Sequence, residues 1–155
     1  MANVFGDHMV LQQEKQVRVW GWGAPGAEVS VGFALGTDAV RTASATVTAD
    51  GSWTASLDAM TKSFEGRELV VESGEEAKRF TDVLVGEVWV CGGQSNMEWT
   101  LRSTRDSDVE VESADTPAIR YLRLPKVAHL EPQSDFPVKE GANGGQWRRC
   151  IPEDA

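Results

Sequence analysis

Ser95 is the residue of this chain whose type and surroundings are best suited to covalent chemistry. It lies in the segment GGQSNMEW, directly after an apolar run at residues 83–90. A short run rich in β-branched residues predicts a strand buried on both faces, and the two glycines predict a sharp turn, because glycine adopts positive φ without strain. A serine exposed on such a turn could act as a nucleophile whose backbone N–H stabilises an oxyanion.

A structural role for Ser95 is also consistent with the sequence. Ser95 and Glu98 have the S-x-x-E spacing of a capping box, which stabilises a helix start and needs no catalysis. Spacing alone favours the cap. The two roles are compatible, because the N–H groups left free at a helix start are also the donors that an oxyanion requires.

The segment from Gly93 to Met97, GQSNM, resembles the first signature block of the carbohydrate esterases of the SGNH-hydrolase superfamily, in particular the sialate O-acetylesterase and acetylxylan esterase group. Further segments resemble landmarks of the amino-terminal part of such an enzyme, in the same order: FGDHMVLQ at 5–12, VWGW at 19–22, GEVWVC at 86–91, and Trp147 with Cys150. The resemblance implies that Ser95 accepts the acyl group and that Gly93, Gln94 and Asn96 contribute to the pocket for an acetylated carbohydrate. It implies no cofactor and no metal.

The resembled enzymes are expected to supply the catalytic Asp and His from a carboxyl-terminal D-x-x-H block, and that block is missing from this sequence. A serine needs such a base to attack an ester. His8 is predicted to be a loop histidine bonded to local backbone, and His129 has no Asp-x-x-His arrangement around it. We therefore expect the amino-terminal portion of a serine carbohydrate O-acetylesterase, removing acetyl groups from sialic acid or other acetylated sugars and inactive in isolation.

The elements that position Ser95 begin with an all-β region at residues 1–83. Its turn signals, of which Asp50-Gly51 is the strongest, separate short alternating segments and predict a β-sandwich. The predicted strands lie at residues 16–22, 28–34, 39–48, 52–57, 68–73 and 77–83. Trp20 and Trp22 share one face of their strand; they could form a sugar-stacking platform, but packing in a core or domain junction is favoured. A non-catalytic module that binds glycan or protein is the alternative function, which exposure of Trp20, Trp22 or Trp53 would support.

Residues 84–155 are predicted to be the first portion of an α/β hydrolase domain of SGNH or flavodoxin-like type. A strand is predicted at residues 119–124, beside the strand at 83–90, and a surface excursion at 125–150 ends in one short strand. The spaced carboxylates within residues 102–115 lack the glycine and closing glutamate of a calcium loop, so a solvated loop is expected. Because each βα unit needs about thirty residues, a second chain or copy is a candidate to complete this domain.

The composition excludes several partner classes. The net charge of −9, without a basic cluster, argues against a nucleic-acid partner. No apolar run approaches the length of a membrane span and no signal peptide follows Met1, so a soluble protein of undetermined compartment is expected, with the resemblance favouring secretion or the periplasm. Cys91 and Cys150 could form one disulfide, but a reduced Cys91 at the end of a buried strand is favoured.

Overall fold

The computed structural model describes residues 1–36, 39–139 and 144–154, and the fold is formed mostly by β-strands. The strands before Ser95 are β1 (Val10–Gln12), β2 (Val17–Trp22), β3 (Glu28–Ala34), β4 (Val40–Thr46), β5 (Ser52–Leu57), β6 (Ser63–Ser73) and β7 (Glu76–Gly86). After it come two 3-10 turns, Ser95–Glu98 and Leu101–Ser103, the helix α1 (Ser107–Glu112), and the strands β8 (Thr116–Leu122) and β9 (Trp147–Cys150).

The first seven strands form two sheets around one core. One sheet has the order β1-β7-β6-β3-β4, with β1 parallel to β7, and the other pairs β2 with β5 antiparallel. Strand β5 contacts β3 and β4 of the larger sheet. Alternate residues of β2, β3 and β5 point inward. Val19 and Leu57 from the smaller sheet share one core cluster with Phe33 and Leu69 from the larger one, and all four are fully buried. Their burial is the main source of stability for this region.

Local turn chemistry places the central strands as the sequence predicts. Strands β3 and β5 coincide with the predicted segments 28–34 and 52–57. The turn before β5 has Gly51 at φ 83°, and the Asp50 carboxylate accepts hydrogen bonds from the backbone N–H (2.9 Å) and hydroxyl (2.8 Å) of Ser52. Side-chain acceptors of this kind fix tight turns, which is why the Asp50-Gly51 signal is reliable.

The prediction of a single strand at residues 83–90, buried on both faces, is wrong. Its first half is the buried end of β7, but β7 ends at Gly86, where its partner β1 also ends at Gln12. Trp89 is 81% exposed and Val90 is 99% exposed. Apolar side chains are buried only where another element covers them, and none of the elements in the described residues covers this segment.

The region after Ser95 differs from the prediction in two further respects. The carboxylate-rich stretch at 102–115 is not only loop, since it overlaps the end of the 3-10 turn Leu101–Ser103 and contains the helix α1. Strand β8 exists as expected, but it pairs with β9 in a separate two-stranded sheet and not with residues 83–90. Across the part of the chain that the structure describes, no helix is both long and apolar enough to span a membrane.

Candidate active site

Ser95 is the first residue of a single 3-10 turn, Ser95–Glu98. Within this segment, the backbone N–H of Met97 donates to the carbonyl of Gln94 at 2.9 Å. The residue in the N-cap position is Gln94, and no side chain caps the turn. The capping box expected between Ser95 and Glu98 is therefore not formed. Glu98 forms an ion pair with Lys126 instead.

Gly93 is needed for space and not for its backbone angle. A Cβ atom at this position would lie 2.8 Å from Cγ of Met97, whereas a Cβ at Gly92 would meet nothing within 4 Å. Neither residue has positive φ, so that part of the sequence prediction is wrong. The Met97 side chain can therefore fold back over Gly93 and hold the turn close to the preceding segment.

The residues that resemblance assigns to the site, Gly93, Gln94, Ser95 and Asn96, are all exposed and adjacent on this turn. No side-chain hydrogen bond to the Ser95 hydroxyl is recorded among the described residues. The hydroxyl is thus accessible to a substrate, but neither histidine activates it here. His129 is also exposed and lies on the excursion after β8.

The segment that leads to Ser95 is fixed at its start by Glu87. The Glu87 carboxylate accepts hydrogen bonds from the side-chain amides of Gln12 (3.1 Å) and Gln13 (2.7 Å), and these bonds lower the pKa of Glu87. The backbone N–H of Val88 donates to Oε1 of Gln12 at 2.9 Å. Residues next to β1 therefore set the direction in which the chain leaves β7.

His8 makes a contact that the sequence does not predict. Its backbone N–H donates to the carbonyl of Thr81, but its ring Nδ1 lies 2.7 Å from Oδ2 of Asp82, so the expectation of purely local backbone bonding is wrong. The same carboxylate pairs with Nη2 of Arg120 at 3.0 Å. We call these three residues the His8–Asp82–Arg120 clasp. It joins residues next to β1 to the end of β7 and to β8.

The clasp contains the histidine–carboxylate pair of a serine hydrolase, but its surroundings indicate a structural role. The Arg120 side chain is only 5% exposed, and its desolvation lowers the pKa of the guanidinium while the Asp82 charge opposes that shift. A carboxylate committed to a buried arginine is poorly suited to orient a base. The partners are 74 and 38 residues apart in sequence, so no motif could have revealed them.

Exposure bears on the predictions for the cysteines and the tryptophans. Cys91 and Cys150 are both free, as favoured, but Cys91 is exposed and not at the end of a buried strand. Trp53 is buried in the core, whereas Trp20 is 37% and Trp22 is 41% exposed. Within the described residues, no group of three His, Cys, Asp or Glu side chains could hold a metal ion.

Comparison with known proteins identifies relatives of this chain. No family model matches. The sialate O-acetylesterase of Mus musculus is 31% identical over 141 residues, and that of Homo sapiens is 32% identical over 141 residues; each alignment covers 87% of this chain and 26% of the relative. The chain therefore spans about a quarter of the length of the curated relatives it matches.

The fold has a counterpart in a crystal structure. A carbohydrate acetylesterase from Xanthomonas citri is 32% identical and superimposes with a TM-score of 0.87, covering all of this chain and 33% of that enzyme. Sequence and fold both relate this chain to the carbohydrate esterases of the sialate O-acetylesterase and acetylxylan esterase group.

Proposed function

We propose that this chain is the amino-terminal portion of a serine carbohydrate O-acetylesterase and that Ser95 is its nucleophile. The observation that carries the proposal is the exposed Ser95 hydroxyl, which no described side chain engages, on a turn held by Gly93 and Met97. A hydroxyl used only for capping would bond to the backbone of its own turn, and Ser95 does not. The relatives, which are named as O-acetylesterases, support the same reaction.

The proposed reaction has two steps. The Ser95 Oγ attacks the acetyl carbonyl carbon, the bond from that carbon to the sugar oxygen breaks, and the sugar leaves with a proton as a free hydroxyl. Water then attacks the acetyl-serine, releasing acetate and restoring Ser95. The backbone N–H of Ser95 donates to the carbonyl oxygen while it carries negative charge, and Gln94 and Asn96 border the substrate pocket.

The reaction requires a base, and we propose that it lies outside the 155-residue chain or on a partner chain. His8 is held in the clasp, and His129 has no recorded bond to Ser95 among the described residues. A serine without a base is a weak nucleophile. We therefore expect the isolated chain to have no measurable esterase activity.

The proposed architecture assigns residues 1–83 to a β-sandwich domain and residues 84–155 to the first portion of an α/β hydrolase domain of SGNH type. The core shared by the two sheets of β1–β7 supports the first assignment. The exposed apolar side chains of Trp89, Val90 and Trp99 support the second, because they form the surface that a completing part of the domain, or a second copy, would cover.

A chimera tests this function. The chain replaces the matching third of the Xanthomonas citri enzyme, and hydrolysis of 4-nitrophenyl acetate is compared for Ser95 and for Ser95→Ala, with Ser103→Ala as the control. Ser103 is a second exposed serine, at the end of the neighbouring 3-10 turn. We expect Ser95→Ala to lower kcat by at least about a thousandfold and Ser103→Ala to leave it unchanged. A folded chimera that is inactive, or that tolerates Ser95→Ala, would overturn the proposal.

A second candidate function is a non-catalytic module that binds glycan or protein. The partial exposure of Trp20 and Trp22 on one face of β2 favours it. In that case the chain binds its ligand, but the chimera shows no hydrolysis that depends on Ser95. Circular dichroism of the chimera checks that it is folded.

A further inference from the structure

A groove of about 550 Å³ lies between Trp20 on β2 and the excursion that follows β8. Its volume is in the range of small-molecule sites. The side that includes Trp20 contributes apolar residues. The excursion contributes apolar and polar residues, and the polar ones are His129, Glu131, Gln133, Ser134 and Asp135.

Both walls of the groove are held in place. Trp20 packs edge-on against Phe5, with ring centroids 4.8 Å apart and an interplanar angle of 75°. The opposite wall is tied to the amino-terminal segment by Asn3, whose backbone N–H donates to Oδ2 of Asp135 at 2.8 Å and whose side-chain amide donates to the carbonyl of Phe136 at 2.7 Å. Ring packing on one side and hydrogen bonds on the other thus hold an indole and several hydrogen-bonding groups in one groove.

The groove offers free hydrogen-bond acceptors to a ligand, alongside the donors of His129 and Ser134. The Glu131 carboxylate has no recorded partner among the described residues, and Gln133 uses its amide N–H on the Glu131 carbonyl (2.9 Å), leaving its own oxygen free. Asp135 is already engaged by two backbone N–H groups. Sugar hydroxyls are donors, and the flat apolar face of a pyranose ring matches an exposed indole.

The charge of the groove separates neutral from acidic sugars. Of the described residues that line it, none is Lys or Arg. Lys126 is flanked by two lining residues, Pro125 and Val127, but its charge is paired with Glu98. The Met1 ammonium interacts with the charge of Asp135, so that cation is already opposed by a carboxylate. A sugar carboxylate would also meet the charge of Glu131, which disfavours acidic sugars.

We propose that this groove is a binding subsite for a neutral oligosaccharide, which stacks a ring on Trp20 and donates hydroxyls to Glu131. The Glu98–Lys126 ion pair joins the excursion beside the groove to the turn that begins at Ser95. The inference rests on the proposed function and narrows its substrate class to acetylated neutral saccharides, in preference to sialic acids.

Binding measurements on the 155-residue chain test the subsite. Isothermal titration compares xylotetraose and cellotetraose, which are neutral, with 3′-sialyllactose, which carries one carboxylate. Trp20→Ala is expected to weaken binding of the preferred neutral tetrasaccharide at least about tenfold by removing the stacking surface. Trp22→Ala is the matched control, because Trp22 shares the exposed face of β2 but does not line the groove, and binding should change less than about twofold. Trp20→Phe keeps a flat ring and should restore part of the affinity.

Glu131→Lys tests the charge argument and is expected to strengthen binding of 3′-sialyllactose. The proposal is overturned if neither neutral tetrasaccharide binds, if 3′-sialyllactose binds more tightly to the unaltered chain, or if Trp20→Ala and Trp22→Ala have equal effects. Each measurement is repeated with Ser103→Ala, which should bind normally. Intact oligosaccharide binding without Ser95-dependent hydrolysis in the chimera would refute the esterase proposal alone. Ser95-dependent hydrolysis without oligosaccharide binding would refute the subsite alone.

Discussion

Asp82→Asn is predicted to destabilise the protein because it leaves the buried guanidinium of Arg120 without its counter-ion. Asparagine keeps the size of the side chain and tolerates the left-handed backbone of this position, where φ is 51°, so the substitution removes mainly the negative charge. The two Arg120 contacts, 3.0 and 3.2 Å, and the His8 contact, 2.7 Å, all involve the carboxylate oxygens.

The expected loss follows from the burial of the two partners. Breaking a buried ion pair by removing one charge costs about 3–5 kcal/mol. The Arg120 side chain is buried, but the Asp82 side chain is one-third exposed, and the amide that replaces its carboxylate would retain one acceptor oxygen. We therefore expect the free energy of unfolding to fall by about 2–3 kcal/mol. For a chain of this length, that corresponds to a fall in Tm of roughly 5–10 °C.

Urea denaturation followed by tryptophan fluorescence measures this loss, with Asp58→Asn as the control. Asp58 is an exposed carboxylate for which no bond is recorded among the described residues. Its substitution should change the free energy of unfolding by less than about 0.5 kcal/mol. If Asp82→Asn and Asp58→Asn had the same small effect, the clasp would contribute nothing and the reasoning from burial would be refuted.

Three further predictions concern the β region. Leu57→Ala, in the fully buried core, should lower the free energy of unfolding in urea by about 2–5 kcal/mol. Leu130→Ala, on a fully exposed side chain, should lower it by less than about 0.5 kcal/mol. Equal losses would show that Leu57 is not part of the core. Hydrogen bonds within the turn lower the pKa of Asp50 from 3.8 to about 2. The carboxylate therefore contributes fully to stability above pH 3.8, and this contribution is lost as the pH falls toward 2. An NMR titration midpoint near 3.8 in the folded chain would contradict this prediction. Gly66→Ala should lower Tm, because its Cβ would clash with Oδ1 of Asp82 in the clasp, while Gly92→Ala has open space and should not; equal Tm values would contradict the close approach.

Local signals make the β region predictable from sequence. The Asp50-Gly51 turn and the alternation in β2, β3 and β5 depend on residues that are close in the chain, and the predictions for these three strands lie within about a residue of the observed ends. Strand β7 continues to Gly86, past its predicted end at residue 83. Strand β6 begins at Ser63, earlier than predicted. The sequence does not reveal its first half, because register shifts against β7 interrupt the alternation there.

Features that depend on distant partners are not predictable in this way. The apolar run at 83–90 indicates burial, but it cannot reveal that pairing stops at Gly86. The contact of His8 with Asp82 depends on positive φ angles at both residues, 66° at His8 in a loop and 51° at Asp82 within β7, which no motif predicts. In the candidate site, resemblance identifies Ser95 and its neighbours. The groove beside Trp20 can be found only from the position of the excursion after β8, which the sequence does not give.

The most direct test of the central claim is to identify which serine of the chimera forms a covalent adduct with diethyl 4-nitrophenyl phosphate. This reagent transfers a diethylphosphoryl group to activated serines and releases 4-nitrophenol, and peptide mass spectrometry locates the group. The account predicts one adduct, on Ser95, together with complete loss of esterase activity. Inactivation with the adduct on Ser103 or on any other residue, and Ser95 unmodified, would show that Ser95 is not the nucleophile.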